Sequence, residues 1–337
     1  MKNHAFAPAR RSWMRTAGIM AAMAWGGLTL APGASAQAWP TRPVRIVIAS
    51  SAGSTGDLLA RMLAPRLESI WKQPVIVEAK PGASGIVGTE YVINAQDGHT
   101  LLLGTQTALM SKYTQKNLRF DPLTDLLPIA KVINYQMVIA TNAPTAKRAG
   151  TLAELVALSK STQNGLFFAG NGLTSIFNLS MAIMNQGLGL RMAAVDFPSV
   201  SAMNLALLRD DAQVMVNTPS SVKGQIENGT VVPLAAVSTE RYANLPQVLT
   251  LKEATGYSGY VPLLWAGFFA PKGTPASVVQ KIDQDLRAVL DDKFRKQIES
   301  TFTGTTVSSS PPAFAKEIQA ETAVWRDIFK AMDFKPE

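Results

Sequence analysis

From Trp39 onward, short β-rich runs alternate with stretches whose apolar residues recur at helical spacing, and this alternation constrains the fold more than any other feature. Val44-Arg45-Ile46-Val47-Ile48 reads as a strand and is followed by a glycine- and hydroxyl-rich turn. Over residues 57–71, Leu59, Leu63 and Leu67 recur every four residues and make one apolar helical face. Pro65 is expected to kink that helix or end it early. Val75-Ile76-Val77 predicts the next strand, residues 85–95 a helix, and Thr100-Leu101-Leu102-Leu103 another strand. A β-α-β-α-β order implies a parallel sheet with helices on both faces.

A second series follows. Residues 135–141, 166–169, 193–197, 212–216 and 231–237 read as strands, and residues 152–160, 179–185 and 203–208 as helices. A strand over 264–270 and helices over 275–290 and 311–332 close the chain. The class is therefore α/β, with two units in succession and a tail too small to be a domain. Packing of that tail on the first unit makes a discontinuous domain of residues 37–134 and 262–337 around a second domain of 135–261. The chain then passes between domains near 132–141 and near 257–264. Two such passages make a hinge, and ligands commonly bind in the cleft beside one.

The chain has 337 residues, 47% apolar and 17% charged, with no cysteine and two histidines. That apolar content excludes a disordered tail protein, and the lack of cysteine excludes disulfides, thiolate metal sites and cysteine nucleophiles. Of the net charge of +8, four units belong to Lys2, Arg10, Arg11 and Arg15 near the N-terminus, leaving +4 without a basic run. Nucleic acid would want clustered Lys and Arg, so it is not an expected partner. The basic start, an apolar stretch over 17–31 and the small residues Ala34 and Ala36 read as an export signal over 1–36, cleaved before Gln37. Its 15 apolar residues are too few for a membrane span of about 20. Arg10-Arg11 is followed by Ser12-Trp13-Met14, a weak match to a twin-arginine signal. A periplasmic protein has no ATP or NAD pool to count on, so no cofactor is expected.

The turn Ser50-Ser51-Ala52-Gly53-Ser54-Thr55-Gly56-Asp57 leaves a strand and opens a helix, where free N–H groups, the helix dipole and hydroxyls favour an anion. As an ordinary turn it would use Asp57 as the N-cap, which still leaves donors for a ligand. Residues 82–88 and 170–175 resemble dinucleotide fingerprints, but Leu101-Leu102-Leu103-Gly104 supplies no acid for a ribose. Both glycine patterns fit close packing or close approach to a small carboxylate. After export one histidine remains, His99, which reads as a solvated turn residue. No G-x-S-x-G, H-E-x-x-H or metal-binding histidine pair occurs, and Asp210-Asp211 reads as a solvated turn. An enzyme is not expected.

Ordered blocks of the chain resemble the tripartite tricarboxylate transporter receptors, the TctC/Bug periplasmic solute-binding proteins. They are Trp39-Pro40-Thr41-Arg42-Pro43-Val44-Arg45-Ile46-Val47, Glu78-Ala79-Lys80-Pro81-Gly82-Ala83-Ser84-Gly85-Ile86-Val87-Gly88, and Asp97-Gly98-His99-Thr100-Leu101-Leu102-Leu103-Gly104-Thr105. Phe120-Asp121-Pro122-Leu123-Thr124-Asp125 and Gly267-Phe268-Phe269-Ala270-Pro271-Lys272-Gly273-Thr274-Pro275 extend the resemblance over almost the whole chain after residue 36.

The resemblance implies a two-domain, Venus-flytrap periplasmic-binding-protein fold with a ligand cleft between the domains. It implies a monomeric receptor that captures a small carboxylate and delivers it to the membrane permease of a tripartite transporter. A receptor docking a periplasmic sensor domain is the alternative, with a hydrolase or lyase a lesser one. Family members hold their ligand through main-chain amides, hydroxyls and waters from two opposed loops. The matching residues are Ser50 to Thr55 with Asp57, and Gly170, Asn171, Gly172, Thr174 and Ser175. Thr105 and Gln106 would line the same cleft. By similarity, Phe197 lies on its far side, with Asn217 where the family often has Asp. The chain departs from the family at Ala49-Ser50-Ser51, at Gly53-Ser54, and at Asp196, where a basic or neutral edge becomes acidic. Asp196 would repel a second carboxylate or pair with a ligand ammonium, or else point to solvent. These departures point to a monocarboxylate, an aromatic acid or a zwitterion.

Overall fold

A computed structural model describes residue 1 and residues 39–172, 174–331 and 334–336. The export-signal expectation therefore falls outside the described residues, Met1 apart. In chain order the elements begin with β1 (Val44–Ile48), α1 (Thr55–Trp71), β2 (Val75–Ala79), α2 (Ile86–Ile93), β3 (Thr100–Thr105) and α3 (Gln106–Thr114). Next come α4 (Pro122–Asp125), β4 (Leu126–Tyr135), β5 (Val138–Asn142), α5 (Ala143–Ala146), α6 (Leu152–Ser161), β6 (Leu166–Gly170) and α7 (Ile176–Gly187). The chain continues with β7 (Met192–Asp196), α8 (Val200–Leu208), β8 (Val214–Asn217), α9 (Lys223–Glu227), β9 (Val231–Ala236) and α10 (Leu251–Thr255). It ends with β10 (Leu264–Pro271), α11 (Ala276–Val289), α12 (Asp292–Phe302), β11 (Gly304–Thr306) and α13 (Pro311–Ala331).

The strands form two sheets, one ordered β11-β4-β10-β3-β1-β2 and the other β7-β6-β8-β5-β9. Both are mixed, not purely parallel as the local order implies. β1 is parallel to β2 and β3, and β6 to β7 and β8. β10 runs antiparallel to β3 and β4, and β5 antiparallel to β8 and β9. These two strands each arrive from the other sheet, so their direction is set by the passage and not by a local crossover helix. Apart from the exposed Arg45, the central strands β1 and β3 are largely buried, with Val44, Ile46, Val47, Ile48 and Leu101 to Leu103 all in the core, as strands covered on both faces must be.

The expected strand over 135–141 is β5, which begins at Val138, whereas Tyr135 ends β4, an unexpected strand in the other sheet. Gln136 and Met137 carry the chain across: the Gln136 N–H donates to the Thr303 carbonyl at 2.9 Å, and the Met137 N–H to the Tyr242 hydroxyl at 3.1 Å. The tail holds more than the expected strand and two helices, since α12 and β11 also lie in it. α1 runs unbroken through Pro65, contrary to the expected kink. Pro65 is exposed, so water can take the carbonyl left without a donor, while Leu59, Leu63 and Leu67 hold the opposite face in the core. No helix of the described residues is long and apolar enough to cross a membrane.

Candidate functional site

The first glycine- and hydroxyl-rich turn stands at the C-terminal end of β1. Ser54, not Asp57, is the N-cap of α1, and its hydroxyl accepts from the Asp57 N–H at 3.3 Å. Asp57, three residues on, folds back so that its Oδ2 accepts from the Gly53 N–H at 2.8 Å and from Arg61 Nε at 3.0 Å. Ser-x-x-Asp is capping-box spacing, which explains the exchange of roles. Burial pushes the Asp57 carboxyl up, but the Arg61 and Gly53 hydrogen bonds outweigh it and hold it below the ordinary 3.8. The Ser50 and Ser54 hydroxyls lie 2.7 Å apart. The turn thus supplies its own anion at Gly53. The Ser51 and Ala52 N–H groups find no acceptor among the described residues, and those of Thr55 and Gly56 lie in the first helical turn, which lacks intrahelical partners. Ser51, Ala52 and Gly53 are exposed.

The second turn, at the end of β6, repeats the device. The Ser175 hydroxyl caps α7 by accepting from the Asn178 N–H at 3.2 Å, and Asn178 Oδ1 accepts from the Asn171 N–H at 3.0 Å. Asp196, at the end of β7, orients Asn178: its Oδ1 accepts from Asn178 Nδ2 at 2.6 Å and from the Gly172 N–H at 3.1 Å. Asp196 is exposed, and one of its oxygens is occupied within the turn. Gly170 is dictated by contact, because a Cβ there would lie 1.9 Å from Asn178 Oδ1.

Of the remaining expected site residues, Phe197 is half-buried against the cluster that holds Met203 and Met215. Asn217 is wholly buried, its Nδ2 donating to Asn204 Oδ1 at 2.6 Å and its Oδ1 accepting from the Thr218 N–H at 2.8 Å. It presents no surface for direct contact. Thr105 is half-buried at the end of β3. Gln106 is 1% exposed; its Oε1 accepts from the Trp265 N–H at 3.3 Å, and its Nε2 is buried with no partner. His99 is buried, not solvated, and its Nε2 accepts from the Thr41 N–H at 3.1 Å.

Sequence reasoning singled out residues 82–88 but missed the bond by which that turn joins the other two. Thr174, 4% exposed, donates its hydroxyl to Ser84 Oγ at 3.0 Å, across 90 residues of chain. Ser84 lies in the turn Gly82 to Gly85, and that turn packs on the first one: a Cβ on Gly85 would meet Ala49 at 3.3 Å, and one on Gly88 at 2.8 Å. The rims of the two sheets therefore meet at three turns, over residues 49–57, 82–85 and 170–175. Asn178 was also missed, although Ser175-x-x-Asn178 has the same spacing as Ser54-x-x-Asp57. A groove of about 600 Å³ lined by Arg45, Lys80, Val87, Glu90 and Tyr91 includes none of the expected ligand residues. Among the described residues no three His, Asp or Glu side chains could hold a metal ion.

The geometry supplies main-chain donors, hydroxyls and one paired cation, which suits capture of a small polar molecule. The comparisons agree with this. Residues 59–334 match the model of the tripartite tricarboxylate transporter family receptor. A protein encoded in the gbd 5′ region of Cupriavidus necator is 32% identical over 286 residues, covering 84% of this chain and 85% of that one. BugT of Bordetella pertussis is 27% identical over 299 residues, covering 88% and 91%. The solved periplasmic binding protein BugD superposes with a TM-score of 0.78 at 27% identity, covering 89% of this chain and all of that one (100%). Rpa4515 of Rhodopseudomonas palustris, solved with adipate, gives 0.80 at 25% identity, again covering 89% and 100%. The fold is thus the two-domain one of periplasmic binding proteins, and this chain belongs to the tripartite tricarboxylate transporter receptor family.

Proposed function

We propose that this protein is an exported periplasmic receptor, acting as a monomer without cofactor or catalysis, that captures a small organic carboxylate and hands it to the membrane permease of a tripartite transporter. The lobes are residues 37–134 with 262–337, and 135–261, hinged where the chain passes between the sheets. The observation that carries this reading is the meeting of the turns over 49–57, 82–85 and 170–175, which sets the Ser51 and Ala52 N–H groups and the hydroxyls of the first turn beside the hydroxyls of the second sheet's rim. The adipate in Rpa4515 supports a carboxylate as ligand. Ser50 to Thr55 and Asp57, with Thr105 and Gln106, form one wall, and Gly170 to Gly172, Thr174 and Ser175 form the other. Gln106 is 1% exposed and its Nε2 is buried, so it supports the first wall from within. Phe197 and Asn217 act from behind the second wall. Asp57 and Asp196 place negative charge in both turns, which favours a ligand with one carboxylate over a tricarboxylate.

Calorimetric titration with a panel of mono-, di- and tricarboxylates, adipate and malate included, tests the reading. At least one acid is expected to bind with micromolar or tighter affinity, with citrate-like tricarboxylates among the weakest. If every acid binds more weakly than millimolar while circular dichroism shows folded protein, the receptor reading fails.

A further inference from the structure

We propose that Ser84 and Thr174 form a clasp that holds the two rims of the site together, a step that rests on the receptor reading and adds to it. The 3.0 Å hydroxyl contact is the hydrogen bond by which the turn over 170–175 reaches the first sheet's rim. Thr174 is buried at 4% exposure, so Ser84 stands where water otherwise would.

The backbone beneath Ser84 is built for this contact. Gly82, Ala83, Ser84 and Gly85 all have positive φ, at 138°, 45°, 52° and 94°. For Ala83 and Ser84 this left-handed region is unfavourable and persists only where the surroundings impose it. Here they do. The Gly85 N–H donates to the Gly82 carbonyl at 2.9 Å, and the Thr89 hydroxyl to the Gly85 carbonyl at 2.8 Å. Gly85 and Gly88 are pressed on Ala49. Relaxing Ala83 and Ser84 to ordinary φ would swing the hydroxyl away from Thr174. Because Ala49 begins the first ligand turn, the clasp also fixes that turn relative to the second. An interaction made only in the closed arrangement raises its population, and with it the apparent affinity of any ligand that needs both walls.

The chain has no cysteine, so the variant Ser84→Cys/Thr174→Cys carries a single possible disulfide. Two sulfurs replacing oxygens 3.0 Å apart come within bonding reach. Mild oxidation of ligand-free protein is expected to cross-link most molecules, and the cross-linked radius of gyration should not change on adding adipate or malate. Ser84→Ala and Thr174→Val should each weaken binding of the best acid of the panel about three- to tenfold, consistent with one lost hydrogen bond. The double variant should be no weaker than either, and Thr174→Ser should restore affinity. Thiols that stay reduced in folded, ligand-free protein would overturn the clasp, as would unchanged affinity in Ser84→Ala. A cross-link that forms in a protein binding no acid leaves the clasp standing and the receptor reading fallen; an acid-binding wild type whose thiols do not pair gives the reverse.

Discussion

Asp57 shows at the residue scale how the first turn is held. Its carboxyl titrates below the ordinary 3.8 in the folded protein, so the unfolded chain binds the proton more readily. The resulting stabilisation is fully present above the unfolded value and is lost as pH falls through the lowered folded one. Asp57→Asn should therefore cost about 1.5–3 kcal/mol at neutral pH, the worth of a hydrogen bond to a charged group, and should remove that part of the acid dependence. Urea unfolding of both proteins from pH 7 down to pH 3 checks this: the curves should converge at the acid end. A constant gap would show that the carboxylate charge is not what holds Gly53. Asp57 and the hydroxyls around it were legible as an anion-friendly turn, because residue types and spacing carry that information. That the turn's own carboxylate takes the Gly53 donor was not, since it depends on which atom folds back. Ser84 was illegible for another reason: nothing in Gly82-Ala83-Ser84-Gly85 shows that two non-glycine residues take positive φ there, and its partner lies 90 residues away.

At the scale of elements, α1 is the clearest case of packing overriding local preference. A proline inside a helix costs about 3 kcal/mol relative to alanine, yet α1 keeps its apolar face buried on both sides of Pro65. Pro65→Ala restores the missing N–H donor for the Arg61 carbonyl at an exposed position. It should stabilise the protein by roughly 1–3 kcal/mol, read from the midpoint of urea unfolding at unchanged slope. A loss of stability would mean that the ring packs usefully where it stands. The locally wound units were readable because strand and helix periodicities follow from sequence neighbours, as β1 with α1 and β6 with α7 show. β5 and β10 were readable as strands but not in direction, because their pairing is fixed by partners in other parts of the chain. β4 was lost for a related reason: Lys131, Asn134 and Pro128 interrupt its apolar pattern, and it ends where β5 almost immediately begins.

For the whole molecule, α13 is the element both halves share. Its 21 residues span about 32 Å at 1.5 Å each. Phe314 and Ile318 sit in the core with Val47, Leu102 and Phe269, whereas Trp325 and Phe329 sit with Leu166, Leu179 and Met184. Between them Glu321 accepts from the indole N–H groups of Trp265 at 2.7 Å and Trp325 at 3.3 Å. Trp325→Ala empties a fully buried site and should cost about 3–5 kcal/mol. It should also split a single calorimetric unfolding transition into two, since the helix is the shared core; one unsplit transition would show that the halves are coupled by other contacts. The strand order adds a constraint in time. β4 is flanked by β10 and β11, both encoded more than a hundred residues later. A chain emerging from the ribosome therefore has no partner for β4 until most of it has been made, so the first sheet cannot finish folding while the chain is still being synthesised.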